Sequence, residues 1–239
     1  MLRDYALVAD GQRGALIGPD GAIDWLCAPR WDSPAVFSGL LGGQGRYAVT
    51  PADPWNVWGG FYETGSLIWR SRWTGHSAHA ECREALAFPA DPHRVVILRR
   101  IEAVDGPARM HVLLDVRAGF GRGKMTGLSR GDGRWTGRSG AIRFRWSGAA
   151  RARRTADGLA LTLSLPVGGH HDLVLELSDR PLDGTAPDPA RAWAATEESW
   201  SSVVPGCDDL IAARDARHAY AVLAGLTARS GAMVAAATT

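Results

Sequence analysis

The chain is predicted to be mainly β: a large antiparallel β-sandwich of two sheets, followed by a C-terminal pair of linker α-helices. Three observations point there. From the N-terminus to about Asp179, apolar and polar residues alternate in short runs, the period-two signature of half-buried strands. Short turns rich in Gly, Pro and Asp separate the runs, with no helical periodicity between them, which excludes the strand–helix rhythm of a parallel sheet. After Pro181 the pattern changes to the period of amphipathic helices.

Taken in order, "RDYALVAD", "ALIG" and "AIDWLC" read as three strands joined by "GQRG" and "PDG". In the second turn Pro19 presets φ and Gly21 supplies a positive φ. "SLIWRSRWTG" puts Leu67, Trp69, Ser71 and Trp73 on one face and Ile68, Arg70 and Arg72 on the other. "RVVILRRIEAV" (94–104) and "ARMHVLLDVRAG" (108–119) are longer strands, and "VDGP" between them predicts a hairpin. Ile142, Phe144 and Trp146 alternate in the next strand, and "GLALTLSLPVGGHHDLVLELSDR" predicts a hairpin turning at Val167–Gly169. Roughly a dozen strands result, as a two-sheet sandwich of this size requires.

The Pro-rich stretch "PLDGTAPDP" sets the domain boundary, with a sandwich over 1–180 and a helical linker over 181–239. Asp188 is placed as N-cap with Pro189 at the first helical position. Trp193 and Trp200, seven apart, share a face of this helix. A second helix is expected over 205–229, its packing stripe formed by Leu210, Ala213, Arg217, Tyr220, Leu223 and Ala224. The stretch from Ala232 to Thr239 is small, apolar and uncapped, and it reads as interrupted. Two amphipathic helices need something to pack against: the sandwich, or a further domain.

Composition narrows the function classes. Hydrophobic residues make up 46% of the chain, enough for a core and too many for disorder. The net charge is +2, and the basic residues, 26 Arg and Lys124, read as spread along the chain. "RARR" (151–154) is the nearest to a basic run, so no nucleic-acid partner is expected. No apolar run approaches the ~18 residues of a membrane span, and the N-terminus lacks the apolar core of a signal peptide. The three cysteines, Cys27, Cys82 and Cys207, fit no zinc spacing. The expectation is a cytoplasmic protein without membrane partner, metal or cofactor.

The densest chemistry lies in "DGAIDWLCAPRWDSPAVF" (20–37), where Asp24 and Asp32 flank Trp25, Arg30 and Trp31. Two carboxylates can form a glycosidase pair if they stand about 5–5.5 Å or about 6.5–9.5 Å apart. The competing reading is structural, with Asp24 paired to Arg30 and Asp32 capping the turn before Ser33–Pro34. His170 and His171 fall on opposite strand faces, and His76 and His79 have no third ligand. "GFGRGK" (119–124) lacks phosphate-loop spacing, and no nucleophile elbow is present. Trp55, Trp58 and Tyr62, in what reads as a Gly- and Pro-rich loop, "PWNVWGGFYETG" (54–65), are candidate substrate-binding residues; otherwise they are core or interface aromatics.

The stretch "DYALVADGQRGALIGPDGAIDWLCAPRWDSPAVFSGLLGG" (4–43) resembles the start of bacterial glycoside hydrolase family 15 proteins, the glucoamylase-like and trehalase-like enzymes. Their N-terminal trehalase-like domain opens on a DYALIGDG-like strand and a GSIDWLCLPRFDSPSVF-like segment. The matching positions are Asp4, Tyr5, Asp10, Gly11, Gly21, Ile23, Asp24, Trp25, Leu26, Cys27, Pro29, Arg30, Asp32, Ser33, Pro34 and Phe37, and Trp31 replaces the usual Phe. "ARDARHAYAVLAGLTARSGAMVAAATT" (213–239) resembles the junction into the family's catalytic barrel.

The resemblance implies a non-catalytic sandwich, a helical linker and then an (α/α)6 barrel. The barrel would carry the general acid and base and bind the α-glucan or trehalose-type sugar. No catalytic residue carries over, so this chain alone is expected to be inactive. It would support folding and docking of the barrel, and would self-associate without it. Asp24, Trp25, Arg30, Trp31 and Asp32 become a structural motif at the sandwich–barrel interface, with Asp24, Arg30 and Asp32 expected as a buried network. The alternative is an independent carbohydrate-binding module.

Overall fold

A computed structural model describes residues 4–76 and 78–238. Sixteen strands and two helices follow one another: β1 (Ala6–Ala9), β2 (Gly14–Ile17), β3 (Ala22–Cys27), β4 (Ala35–Phe37), β5 (Arg46–Pro51), β6 (Asn56–Tyr62), β7 (Trp69–Gly75), β8 (His79–Leu86), β9 (Arg94–Asp105), β10 (Ala108–Asp115), β11 (Met125–Gly131), β12 (Arg134–Ser139), β13 (Ile142–Ser147), β14 (Arg153–Thr155), β15 (Gly158–Leu165), β16 (His170–Ser178), α1 (Pro189–Val203) and α2 (Ala213–Leu226).

The strands form two eight-stranded sheets. The first runs β1-β2-β3-β5-β10-β15-β14, with β4 beside β3; the second runs β11-β12-β13-β16-β9-β8-β7-β6. Every pairing is antiparallel. The main core lies between the sheets, with Ile17, Ile23, Tyr47, Val112 and Leu161 from one facing Trp73, Cys82, Ile101, Trp146 and Leu175 from the other.

The two predicted hairpins are not hairpins. β9 and β16 belong to the second sheet, β10 and β15 to the first, so both turns carry the chain across the sandwich. Alternation in β9 and β10 reads identically whether the next strand pairs beside its neighbour or opposite it, and local pattern cannot separate the two.

A charged pair sits inside this core. Arg99 continues the inward line of Val95, Ile97, Ile101 and Ala103 and is fully buried. Its Nη2 stands 2.7 Å from Glu84 Oε1, and Ser71 Oγ donates to the same carboxylate at 2.7 Å. Arg99 also donates across the sandwich to the Tyr47 carbonyl at 2.8 Å and to the Gly21 carbonyl at 3.0 Å. Gly21 adopts φ +68°, and a Cβ there would stand 2.2 Å from the Val49 carbonyl oxygen, so only glycine fits this turn.

α1 forms where expected. Asp188 accepts from the Arg191 amide at 2.9 Å, Pro189 opens the helix, and Trp193 and Trp200 are buried. They cover Leu98, Val174, Ala85 and Ile68 on the outer face of the second sheet. Among the described residues, no helix is long and apolar enough to cross a membrane.

Candidate functional site

Asp24 and Asp32 of the 20–37 segment have different partners and surroundings. Asp24 stays in β3, half-buried, with the Tyr5 hydroxyl at 3.5 Å. Burial pushes its carboxyl above the usual range. Asp32 lies in the turn after β3 and accepts from Arg30 Nε at 3.2 Å, with side chains 76% and 46% exposed. The expected buried network of Asp24, Arg30 and Asp32 is therefore not formed. The chain leaves the sheet after Cys27, which carries Arg30 and Asp32 into solvent while Asp24 remains in the strand. The Cys27 thiol is buried and pushed up to about 11.

The segment instead seats the far end of the chain. Buried Trp25 donates from Nε1 to the Ala237 carbonyl at 2.8 Å. The Trp31 amide donates to Gln12 at 3.0 Å and its Nε1 to Gly11 at 3.3 Å. The Gly11 amide in turn donates to the Gly225 carbonyl, in the last turn of α2, at 2.9 Å. Gly11 has φ +81°, and a Cβ there would lie 2.7 Å from the Thr227 carbonyl oxygen. Glycine is needed because two backbones touch.

The docking face of α2 differs from the expected stripe. The helix starts at Ala213 rather than 205, and its buried residues are Ala221 and Gly225. A Cβ on Gly225 would stand 2.5 Å from Leu67 Cδ1 and 3.1 Å from the Ala9 Cβ. The helix thus lies so close to β1 and the residues before β7 that small side chains win the inward positions. Tyr220 and Leu223, which the apolar period suggested as packing residues, point outward with Leu210, Ile211 and Met233, all exposed.

Trp55, Trp58 and Tyr62 do not form one aromatic platform, nor do they share a loop. Trp58 and Tyr62 lie in β6, whose ladder with β7 is regular, and Trp55 immediately precedes it. Tyr62 wedges between β1, β7 and α2. Its hydroxyl accepts from the Leu7 amide at 2.6 Å and donates to the Leu7 carbonyl at 3.1 Å. Its ring centre is 4.9 Å from Trp69 and 4.5 Å from His218. Burial pushes the Tyr62 hydroxyl up to about 12 and holds His218 below the ordinary imidazole range. Trp58 packs on Trp69 with ring centres 6.3 Å apart. Trp55 is 84% exposed.

An ionic lattice that sequence reading missed ties α1 to the second sheet. Arg83 donates to Glu63 and to Glu197 of α1, both at 2.6 Å, and its guanidinium lies 4.3 Å from the Trp193 ring centre. Arg70 joins Glu63, Glu81 and Glu102 at 2.7, 3.0 and 3.1 Å. The sequence signal was the alternate charges Arg70 and Arg72 in β7 and Glu81 and Arg83 in β8. Between β6 and α2 a cleft of about 290 Å³ remains, lined by Tyr62, Glu63, Trp69, Arg214, Asp215 and His218. Among the described residues, no three His, Cys, Asp or Glu side chains gather as metal ligands would. What the region presents is a rigidly braced helix pair with an outward apolar surface.

A family model described as "Trehalase-like, N-terminal" matches residues 2–160. The trehalases of Mycobacterium tuberculosis (strain ATCC 25618 / H37Rv) and Mycolicibacterium smegmatis (strain ATCC 700084 / mc(2)155) are 36% and 34% identical to the chain over 88 residues, 36% of this chain and 13% of each relative. The chain therefore matches only a small part of these curated relatives. A crystal structure of a bacterial glucoamylase complexed with acarbose superposes with a TM-score of 0.59 at 9% identity, over 93% of this chain and 42% of that one.

Proposed function

Because the chain belongs to the trehalase-like N-terminal domain family, we propose that it is the non-catalytic sandwich of an α-glucoside hydrolase and docks a catalytic helical barrel through its helical end. One observation carries this reading. α2 is held to the sandwich by Ala221 and Gly225, while Tyr220 and Leu223 of the same helix, with Leu210, Ile211 and Met233, stay exposed. Five exposed large apolar side chains within residues 210–233, on and beside a helix whose other face is packed, are the kind of feature that marks an interaction site. Asp24 and Asp32 have separate partners and different exposure, which supports a non-catalytic role for the 20–37 segment. The hydrolysis of trehalose-type or α-glucan bonds then belongs to the barrel.

The test is glucose release from trehalose and from maltooligosaccharides, with this chain alone and with a version extended along the reading frame. Activity confined to the extended protein supports the proposal. Activity of the short chain that is lost in Asp24→Asn overturns it.

A second reading, a carbohydrate-binding module, draws on Trp55, an exposed ring whose chain neighbours Asp53 and Asn56 line a pocket of about 170 Å³. Retardation in amylose-containing gels that disappears in Trp55→Ala would favour it.

A further inference from the structure

The basic residues are spread along the chain, as expected, but their excess over acidic residues is concentrated at one pole. Residues 122–155, which hold β11 to β14, carry ten Arg or Lys and one acidic residue, Asp132, a net charge of +9. The rest of the chain has 17 basic and 24 acidic residues, a net −7. The small net charge of the whole chain hides this asymmetry, which is the kind that marks anion recognition.

The strand register then arranges the cations. Arg138 of β12 lies directly opposite Arg143 of β13. Both are exposed, and among the described residues neither forms an ion pair with a carboxylate. Like charges facing each other across a ladder are destabilising unless an anion joins them. Arg134 is on the same face as Arg138, about 13 Å along the strand at the usual rise; its Nη2 stands 3.8 Å from the exposed carboxylate of Asp132, which also lines the groove. The groove over these strands has a volume of about 580 Å³. Gly127, Gly131 and Gly137 leave part of its lining bare, and Ser129 and Thr136 add hydroxyls.

One wall is fixed. Arg145 is buried, donates to Glu176 at 2.5 and 2.9 Å, and holds the carbonyls of Leu182, Gly184 and Thr185 at 3.2, 2.6 and 3.2 Å. Its charge is spent on structure, whereas those of Arg138 and Arg143 are not. Aromatic side chains in this pole are withdrawn: Trp135, Phe144 and Trp146 are buried, so it offers no platform for stacking bases.

We infer that the groove over β11–β13 binds a small molecule bearing two or more linked phosphoryl groups, the chemistry shared by inorganic tripolyphosphate and nucleoside triphosphates. Guanidinium forks match phosphoryl oxygens in pairs. The separation of Arg134 from the Arg138–Arg143 pair suits a row of phosphoryl groups better than a single ion. The inference does not rest on the docking proposal, which concerns the helical end.

The experiment is calorimetric titration of the chain with sodium tripolyphosphate, orthophosphate and adenosine triphosphate, at low and at physiological salt. Saturable tripolyphosphate binding is expected, at least about tenfold tighter than orthophosphate and weakened by salt. The double variant Arg138→Gln/Arg143→Gln should lose at least about tenfold in affinity while keeping or raising its melting temperature, because the facing charges are gone. Arg191→Gln, on α1, should bind as the parent does. Adenosine triphosphate matching tripolyphosphate means that the phosphoryl chain alone is read; tighter binding adds the nucleoside to the ligand class. The inference is overturned if tripolyphosphate does not bind, if orthophosphate binds equally well, or if Arg191→Gln loses as much as the double variant. Tighter capture by a DNA duplex or by phosphatidylserine vesicles than by tripolyphosphate also overturns it, in favour of a polyanion surface.

Discussion

Arg99 and Glu84 face each other across adjacent strands β9 and β8, 2.7 Å apart, and each is buried inside the sandwich. Arg99 also holds two carbonyls of the opposite sheet, so this one residue joins both sheets and the turn at Gly21. Glu84→Gln should cost about 3–5 kcal/mol of stability, because it leaves the guanidinium buried without its counter-charge. Urea denaturation checks this; a midpoint close to that of the parent would refute it.

Gly225→Val should strip α2 from the sandwich. The new side chain meets Leu67 and Ala9 at less than contact distance, and overpacking of this kind costs about 1–3 kcal/mol. Hydrogen exchange of the 213–226 amides should accelerate, while that of β9 and β16 stays slow.

Arg30→Ala should change stability by no more than about 1 kcal/mol, since its pair with Asp32 is solvent-exposed. Trp25→Phe should cost about 0.5–1.5 kcal/mol by removing the hydrogen bond to Ala237. The ordering of these two melting temperatures tests whether the family segment works through its tryptophan rather than through its ions.

Acidification should loosen α2. Burial against Tyr62 lowers the His218 pKa in the folded state below its ordinary 6.5. The unfolded chain therefore takes up a proton first, and stability is lost as pH falls from about 6.5 toward the folded-state value, then levels off. His218→Gln should flatten the fall in melting temperature over that window; an unchanged slope would exclude His218 as its source.

Leu223→Glu should leave the melting temperature within about 0.5 kcal/mol of equivalent stability, as for an exposed site. It should also reduce self-association of the isolated chain in light scattering. A dimer unaffected by Leu223→Glu and Ile211→Glu would place the sticky surface elsewhere.

Much of this architecture is legible in local pattern. The strands around Trp69, Trp73, Ile97 and Ile101, the cap at Asp188 and the turn at Gly21 depend on neighbours a few residues away, and alternation, capping and positive φ are properties of such short stretches.

Long-range pairing settled the rest. Whether β10 follows β9 beside it or across the core and which face of α2 is covered both depend on contacts between segments that share no local signal. Trp25 and Ala237 are 212 residues apart and meet only because both ends of the chain return to the first sheet. Hydrophobic periodicity says that a residue can be buried. Which surface buries it depends on the shape of the partner, and at Gly225 that shape admitted a glycine and left Leu223 in water.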